Sequence, residues 1–296
     1  MRRITERLKQ GRKLVSDGAW GTLLQRQGLE SGECPELWCI THRAAVLAIA
    51  QSYVAAGANL IKTNSFGGSR IKLAACTLGA RAAEINRAAA AISREAAGAE
   101  HAVIASMGPT GKLLLMGDVT EEDLYAAFQE QALALEQGGA DAALIESMSA
   151  LDEAALAIKA VRENTRLEII CTFTFERTVK GEYRTMMGVA PAQMAAACLA
   201  AGADIIGANC GHGFREMIAV VKEIRSAAPT APIIVHPNAG LPVVRDGVTV
   251  FPDTPAMMAD MVPALLTAGA DIIGGCCGTT PEHIAAIARV LRVANA

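Results

Sequence analysis

Three cysteine thiols follow the two most similar apolar runs of the chain. Cys210 ends the run AGADIIGANC, and the adjacent Cys276 and Cys277 end the run AGADIIGGCC. Each run is short and continuously apolar, which is typical of a buried strand in a parallel sheet. Three thiolates that converge from two strand ends can hold a zinc ion and leave its fourth position free for a substrate thiol. The pattern therefore predicts a catalytic zinc site at Cys210, Cys276 and Cys277.

The chemistry of such a site differs from that of a hydrolytic zinc centre. Zinc held by three thiolates is a weak Lewis acid compared with zinc in an imidazole-rich site. It can still bind a fourth thiol, which titrates near about 8.5 when free, and deprotonate it. The site therefore predicts alkyl transfer to a substrate sulfur. We interpret the other cysteines as ordinary thiols and expect all eight to be reduced, because disulfides are rare in large chains of intracellular type.

A repeated helix–strand pattern organises the chain. Related strand motifs follow alanine-rich runs and begin at 56 (AGANLIKTN), 138 (GGADAALIES), 201 and 268. Four more strands lie between them: KLVSDGAWGT from 13, AVIASMGPT from 102, EIICTFTF from 168 and PIIVHPNAG from 232. Eight strands that alternate with eight helices predict one domain over residues 1–296, folded as an α/β protein of the (β/α)8 TIM-barrel type. An open doubly wound sheet is the alternative, but no G-x-G-x-x-G turn follows the first strand.

Two carboxylates occupy predicted strand ends away from the thiols. Asp17 follows the first strand and Glu146 follows the fourth. In a barrel of this type the strand ends share one face, where the active site lies. We therefore expect Asp17 and Glu146 to bind a substrate ammonium group, with Gly18, Ala19 and Asn209 also in contact with the substrate. A thiol-binding metal beside ammonium-binding carboxylates is suited to an amino-acid thiol such as homocysteine.

The composition excludes other classes of partner. The formal net charge is -3 and no basic block is present, which argues against nucleic-acid binding. No run approaches the roughly 18 apolar residues of a membrane span, and the amino terminus lacks the apolar region of a secretory signal. We therefore expect a cytoplasmic protein. The longest loops are predicted after the fifth and seventh strands (ERTVKGEYRTMMG and LPVVRDGVTVFPDT), as lids or partner contacts.

Six motifs resemble the homocysteine S-methyltransferase family over nearly the whole chain. They are DGAWGT at 17–22, TNSF at 63–66, GPTG at 108–111, IES at 145–147, GANC at 207–210 and GGCCGTT at 274–280. The resemblance implies a zinc-bearing barrel that activates homocysteine. It also implies zinc ligation by Cys210, Cys276 and Cys277, and contact of Asp17 and Glu146 with the amino group.

Within the family, the chain is most similar to the homocysteine module of cobalamin-dependent methionine synthases. GPT after the third strand and PNAG at 237–240 support this branch, whereas Trp20 departs from it. No D-x-H-x-x-G corrinoid signature occurs in the sequence, so we expect the methyl-corrinoid to arrive on a separate protein. The branch also implies that Asn238, at the end of the seventh strand, fills the fourth zinc position until a thiol binds.

Several functions remain open at this point. The leading hypothesis is zinc-dependent methylation of homocysteine to methionine by a methyl-corrinoid protein. The donor could instead be S-methylmethionine or a betaine. The chain could also demethylate a small methylated compound and load a corrinoid protein. A zinc-storing or docking module is the non-enzymatic alternative.

Overall fold

The predicted strands form one closed parallel barrel. The computed structural model describes residues 3–211, 213–245 and 248–295. The barrel strands are β1 (Leu14–Val15), β2 (Leu60–Lys62), β3 (Ala102–Met107), β4 (Ala142–Met148), β5 (Glu168–Phe173), β6 (Ile205–Asn209), β7 (Ile233–His236) and β8 (Ile272–Ile273). Their hydrogen-bonded order is β1-β8-β7-β6-β5-β4-β3-β2, and a parallel bridge between Ser16 and Leu60 joins β1 to β2. The prediction of a (β/α)8 barrel is confirmed.

Helices surround the barrel and follow its strands. They are α1 (Arg3–Lys9), α2 (Gly21–Arg26), α3 (Trp38–Thr41), α4 (Arg43–Ala55), α5 (Arg70–Ala74), α6 (Ala82–Ala97), α7 (Glu121–Gln137), α8 (Leu151–Asn164), α9 (Pro191–Ala201), α10 (Phe214–Ala227), α11 (Pro255–Ala268) and α12 (Pro281–Ala294). The last helix after each strand forms the outer layer, while α1, α2, α3 and α5 are short additions. Thr120 begins α7 with a reciprocal capping box to Asp123. Within the described residues, no helix is long and apolar enough to span a membrane.

The amino-terminal end of the barrel is closed by apolar packing. Ile4 of α1 packs into a buried cluster with side chains from every barrel strand, among them Leu14, Ile104 and Ile234. Glu168 at the start of β5 fixes α1 there, because its carboxylate accepts hydrogen bonds from the Ile4 amide at 3.2 Å and the Thr5 hydroxyl at 3.0 Å. The closed end leaves the carboxyl ends of the strands as the open face of the barrel.

The loops on the open face differ in part from expectation. The segments after β5 and β7 form short antiparallel hairpins, which pair Glu176–Arg177 with Tyr183–Arg184 and Val243–Arg245 with Val248–Val250. The longest connections, however, follow β1 and β2, at 16–42 and 63–81. The connections after β5 and β7, at 174–190 and 237–254, are nevertheless the longest that contain no helix among their described residues, as predicted. Short helices break the connections after β1 and β2 into pieces, and Gly21, Thr22 and Leu24 of α2 line a cavity at the barrel mouth.

Gly207 allows β6 and β7 to approach closely, and it offers a test of the fold. A β-carbon at Gly207 would lie 1.8 Å from the Ile234 carbonyl oxygen of the neighbouring strand. We expect Gly207→Ala to destabilise the protein by about 3 kcal/mol, the upper end of the cost of overpacking, because backbone atoms cannot move aside. Gly21→Ala is the matched control, since a β-carbon there meets nothing within 4 Å. Denaturant unfolding of both variants measures the difference, and equal midpoints would contradict the close approach.

Candidate functional site

The three predicted zinc ligands converge at the open face. The sulfur atoms of Cys210, Cys276 and Cys277 lie within 4.8 Å of one another. Cys210 directly follows β6, the other two follow β8, and β7 lies between these strands. Ligands of a tetrahedral zinc with Zn–S bonds of about 2.3 Å are about 3.8 Å apart, so this spacing suits one shared ion.

Two of these sulfurs also contact each other directly. The Cys210 and Cys276 sulfurs are in direct contact, with Cα atoms 5.6 Å apart, while Cys277 is free. Only thiolates bind zinc, so metal binding requires this pair to be reduced.

A left-handed turn aims Cys210 over the mouth of the barrel. Cys210 has φ of 54° and Gly211 has φ of 63°. This region is costly for a residue with a side chain, and such strain concentrates at functional sites. The Cys210 amide donates to the His236 carbonyl at 3.0 Å, which holds the turn against β7. Gly211 cannot be replaced easily, since a β-carbon there would lie 2.4 Å from the Phe175 carbonyl oxygen.

A bulge in β4 presents Glu146 to the same face. The register with β5 shifts between Ile145 and Met148, and Ser147 has φ of 62°. Such bulges redirect side chains near active sites. One Glu146 carboxylate oxygen accepts a hydrogen bond from the Ser106 hydroxyl. The other accepts none from the described residues, so it is open to a ligand.

Asp17, by contrast, is fully buried behind its neighbours. Its Oδ2 accepts hydrogen bonds from the Trp20 indole at 2.9 Å and from the Lys62 amide at 2.8 Å. Its Oδ1 lies 3.7 Å from the Lys62 ammonium. Burial raises the pKa of Asp17 to about 6, although Lys62 and the two hydrogen bonds lower it.

A cavity of about 260 Å³ joins the thiols to the charged groups. Its apolar wall includes Trp20, Leu24 and Phe66, and its polar wall includes Lys62 and Glu146. The full lining is Ala19, Trp20, Gly21, Thr22, Leu24, Pro35, Glu36, Lys62, Thr63, Asn64, Ser65, Phe66, Ser106, Glu146, Ser147, Cys210, Cys276 and Cys277. Of the predicted site residues, the cavity therefore brings together Ala19, Glu146 and the three cysteines.

The remaining predicted residues lie just behind this wall. Asn209 accepts hydrogen bonds from the Ser147 amide and the Thr172 hydroxyl, and it donates to the Ser147 hydroxyl, so it ties β4, β5 and β6 together. Gly18 has no room for a side chain, because a β-carbon would lie 2.7 Å from the Thr279 hydroxyl. Both residues support the cavity from positions outside its lining.

Asn238 connects the two loops that carry the thiols. Its carboxamide oxygen accepts a hydrogen bond from the Cys277 amide at 3.1 Å, and its nitrogen donates to the Gly211 carbonyl at 3.3 Å. Asn238 follows β7, the strand between the two thiol-bearing strands. Its carboxamide therefore lies beside both cysteine loops.

Comparison with known proteins places the chain in a family. The model of the homocysteine S-methyltransferase family matches residues 14–291. The chain belongs to this family of methyltransferases. It is 32% identical over 95% of its length to a methionine synthase of Mycobacterium tuberculosis, and 31% identical over 96% to that of Mycobacterium leprae. The chain spans 25% of the length of each of these relatives.

Solved structures share the fold. The metallated form of the homocysteine methyltransferase MmuM from Escherichia coli superimposes with a TM-score of 0.77 at 23% identity, covering 95% of this chain and 97% of that one. Its oxidised form gives a TM-score of 0.75 at 24% identity, with 93% and 94% covered. The barrel described above is thus the architecture of known family members.

Sequence reasoning missed two residues of the cavity lining, Lys62 and Glu36, and identified His236 only as a residue at a strand end. Lys62 ends the apolar strand β2 and lines the cavity, and a charged residue in an otherwise apolar strand was a signal that could have identified it. Glu36 lines the cavity, with its carboxylate held by the Gly67 amide at 2.7 Å. His236 is fully buried and has no hydrogen-bond partner for either ring nitrogen among the described residues. Burial and then Lys62 lower the pKa of His236 well below its usual value, so its ring is neutral.

Proposed function

We propose that this chain transfers a methyl group to the thiol of homocysteine, and that the methyl group comes from a methylated corrinoid on a separate protein. One observation carries the proposal: the three cysteine sulfurs lie within 4.8 Å of one another at a cavity that Glu146 also lines. This arrangement can hold a substrate sulfur and a substrate ammonium group at once. Membership in the homocysteine S-methyltransferase family supports the same reaction.

The residues present suit a zinc ion. Cys210, Cys276 and Cys277 supply soft sulfur donors at a spacing that one tetrahedral ion requires, and they leave one position free. A zinc ion held there would supply Lewis acidity that keeps a substrate thiol deprotonated and nucleophilic. The left-handed turn at Cys210 and the bulge at Ser147 fix the thiols and Glu146 relative to each other. The protein thereby positions the substrate sulfur for attack on a methyl group.

The walls of the cavity orient the substrate. Trp20 and Phe66 provide apolar surface for a short methylene chain and exclude water from the thiol site. The open oxygen of Glu146 accepts a hydrogen bond from the substrate ammonium. Direct contact between Asp17 and the ammonium, as predicted from the sequence, would require Lys62 to move away, so we assign Asp17 as the counter-ion of Lys62.

The open face offers apolar surface for a large methyl donor. Leu115 after β3, Met186 after β5 and Val244 after β7 are each at least 74% exposed. All three belong to loops at the carboxyl ends of the strands, the end at which the cavity lies. A contiguous apolar patch at this end would mark a protein contact surface. The three exposed side chains support docking of a corrinoid protein above the thiol site.

Methyl transfer from methylcobalamin, with and without homocysteine, tests the proposal. The reduced, zinc-loaded protein should form methionine from the two together, and a corrinoid protein carrying the methyl group should be a better donor than the free cofactor. S-methylmethionine and a betaine serve as competing donors. If methionine forms from either of these and not from methylcobalamin, the corrinoid donor is wrong. If homocysteine is methylated by none of them, the proposed function fails.

Asn238 is proposed to fill the fourth position until a thiol arrives, because its carboxamide lies beside both cysteine loops. We expect Asn238→Ala to weaken zinc binding in thiol-free protein by at least the roughly 10- to 100-fold that loss of a supporting group costs, because the metal then loses a direct ligand. The loss should largely disappear with homocysteine bound, since the substrate sulfur then occupies the position. Competition with a chelator measures both affinities. An equal loss in both states would mean that Asn238 acts only as a link between the loops.

A further inference from the structure

Lys62 is a buried cation beside the thiol site. It ends β2, its side chain is 6% exposed, and it lines the cavity together with Glu146 and the three cysteines. Among the described residues of this lining, Lys62 is the one cation. A charge in such a position needs a partner, because removing an ammonium from water is costly.

The protein satisfies this ammonium only in part. Lys62 Nζ donates to the Gly275 carbonyl at 3.4 Å, which is a long hydrogen bond. Its distance of 3.7 Å to Asp17 Oδ1 gives charge attraction without a hydrogen bond. Asp17 Oδ1 likewise has no hydrogen-bond partner among the described residues. An ammonium carries three donors, so at least one is available to a ligand in the cavity.

Asp17 is fully buried and does not line the cavity, so it does not contact a ligand there. Its Oδ2 already accepts hydrogen bonds from the Trp20 indole and the Lys62 backbone amide. Lys62, by contrast, is within the lining. The cavity is therefore bordered by one cation and by the open carboxylate oxygen of Glu146.

We propose that Lys62 binds the carboxylate of the substrate and so restricts the enzyme to thiols that carry an acid group. This inference rests on the proposed function and specifies its substrate class. Glu146 binds the ammonium group, Lys62 binds the carboxylate, and the cysteine site holds the sulfur. The three contacts together select an α-amino-acid thiol over thiols with an amine alone. Lys62 is thus a specificity-determining residue.

Two other roles for Lys62 predict different behaviour. Lys62 could serve only to pair with Asp17, or only to offset the negative charge of the thiolates. Either role would weaken the binding of every thiol to a similar extent when Lys62 is lost. Contact with the carboxylate predicts a selective loss instead, confined to thiols that carry an acid group.

Binding of homocysteine and two truncated analogues to the reduced, zinc-loaded enzyme separates these roles. One analogue, 3-aminopropane-1-thiol, lacks the carboxylate, and the other, 4-sulfanylbutanoic acid, lacks the amine. The wild type should bind homocysteine roughly 10- to 100-fold more tightly than the amine, as expected for a hydrogen-bonded charge contact. In Lys62→Met the preference for homocysteine over the amine should fall to about threefold or less, while the preference for homocysteine over the acid should persist. In Glu146→Gln the preference for homocysteine over the acid should fall, while the preference over the amine should persist.

The double variant Asp17→Asn/Lys62→Met is the control for a folding defect in Lys62→Met. It removes both charges of the buried pair, so no unpaired carboxylate remains. It should show the same loss of preference as Lys62→Met. The role of Lys62 is overturned if the wild type binds the amine as tightly as homocysteine. It is also overturned if Lys62→Met keeps the full preference for homocysteine over the amine. In either case, binding of homocysteine would leave the proposed function standing. A wild type that binds none of these thiols overturns the proposed function, and this inference with it.

Discussion

Replacing Cys276 with alanine is expected to remove zinc from the protein. The wild type should hold one zinc per chain when reduced, because three sulfurs lie within 4.8 Å of one another. Loss of a direct ligand should cost more than the roughly 10- to 100-fold in affinity that loss of a supporting residue costs. Metal analysis after gel filtration, together with a chelator competition, measures this loss. Methyl transfer to homocysteine should disappear with the metal.

Cys76→Ala is the matched control, since Cys76 is a free, exposed cysteine outside the cavity. It should keep one zinc per chain and full activity. Both proteins must be reduced before zinc is added, because Cys210 and Cys276 contact each other. The wild type should also gain thermal stability from zinc, while Cys276→Ala should gain little, since a ligand stabilises only the state that binds it. Full zinc in Cys276→Ala would refute the assignment.

The strands of the barrel could be predicted from the sequence because each is marked locally. The runs around Ile205 and Ile272 are continuously apolar, which identifies strands buried on both faces. Glycines such as Gly202 and Gly269 end the preceding helices in the left-handed conformation that glycine adopts easily. The short helices in the connections after β1 and β2 could not be predicted in this way. The segments after β1 and β2 contain helices of only four to six residues, which are too short to have a clear periodic pattern in the sequence.

The thiol cluster could also be predicted, because parallel strands bring their carboxyl ends to one face. The surroundings of Asp17 could not. Its side chain contacts Trp20, three residues away, and Lys62, 45 residues away. No sequence pattern near Asp17 predicts either contact. Whether a strand-end lysine faces the cavity or the solvent depends on how the barrel closes. The same holds for the bulge that directs Glu146, which follows from the register between β4 and β5.

Replacing Glu146, which lines the cavity together with Lys62, is expected to have the second large effect, on homocysteine affinity. One Glu146 oxygen is held by the Ser106 hydroxyl, and the other has no partner among the described residues. We expect Glu146→Gln to weaken homocysteine binding by about 2–5 kcal/mol, or roughly 30-fold or more, since the substrate ammonium would lose its charged partner. Glutamine preserves the size of the side chain and its bond to Ser106, so the effect isolates the charge. Calorimetry on the reduced, zinc-loaded protein measures the affinity.

Glu36→Gln provides the control for this change. Glu36 lines the same cavity, but its carboxylate oxygens accept hydrogen bonds from the Gly67 amide and the Cys34 thiol. Because these oxygens are occupied by the protein, neutralising Glu36 should change homocysteine affinity far less than neutralising Glu146. The comparison tests whether an open oxygen, and not merely negative charge near the cavity, recognises the ammonium. If Glu146→Gln binds homocysteine as tightly as the wild type, the natural substrate is a thiol without an amino group.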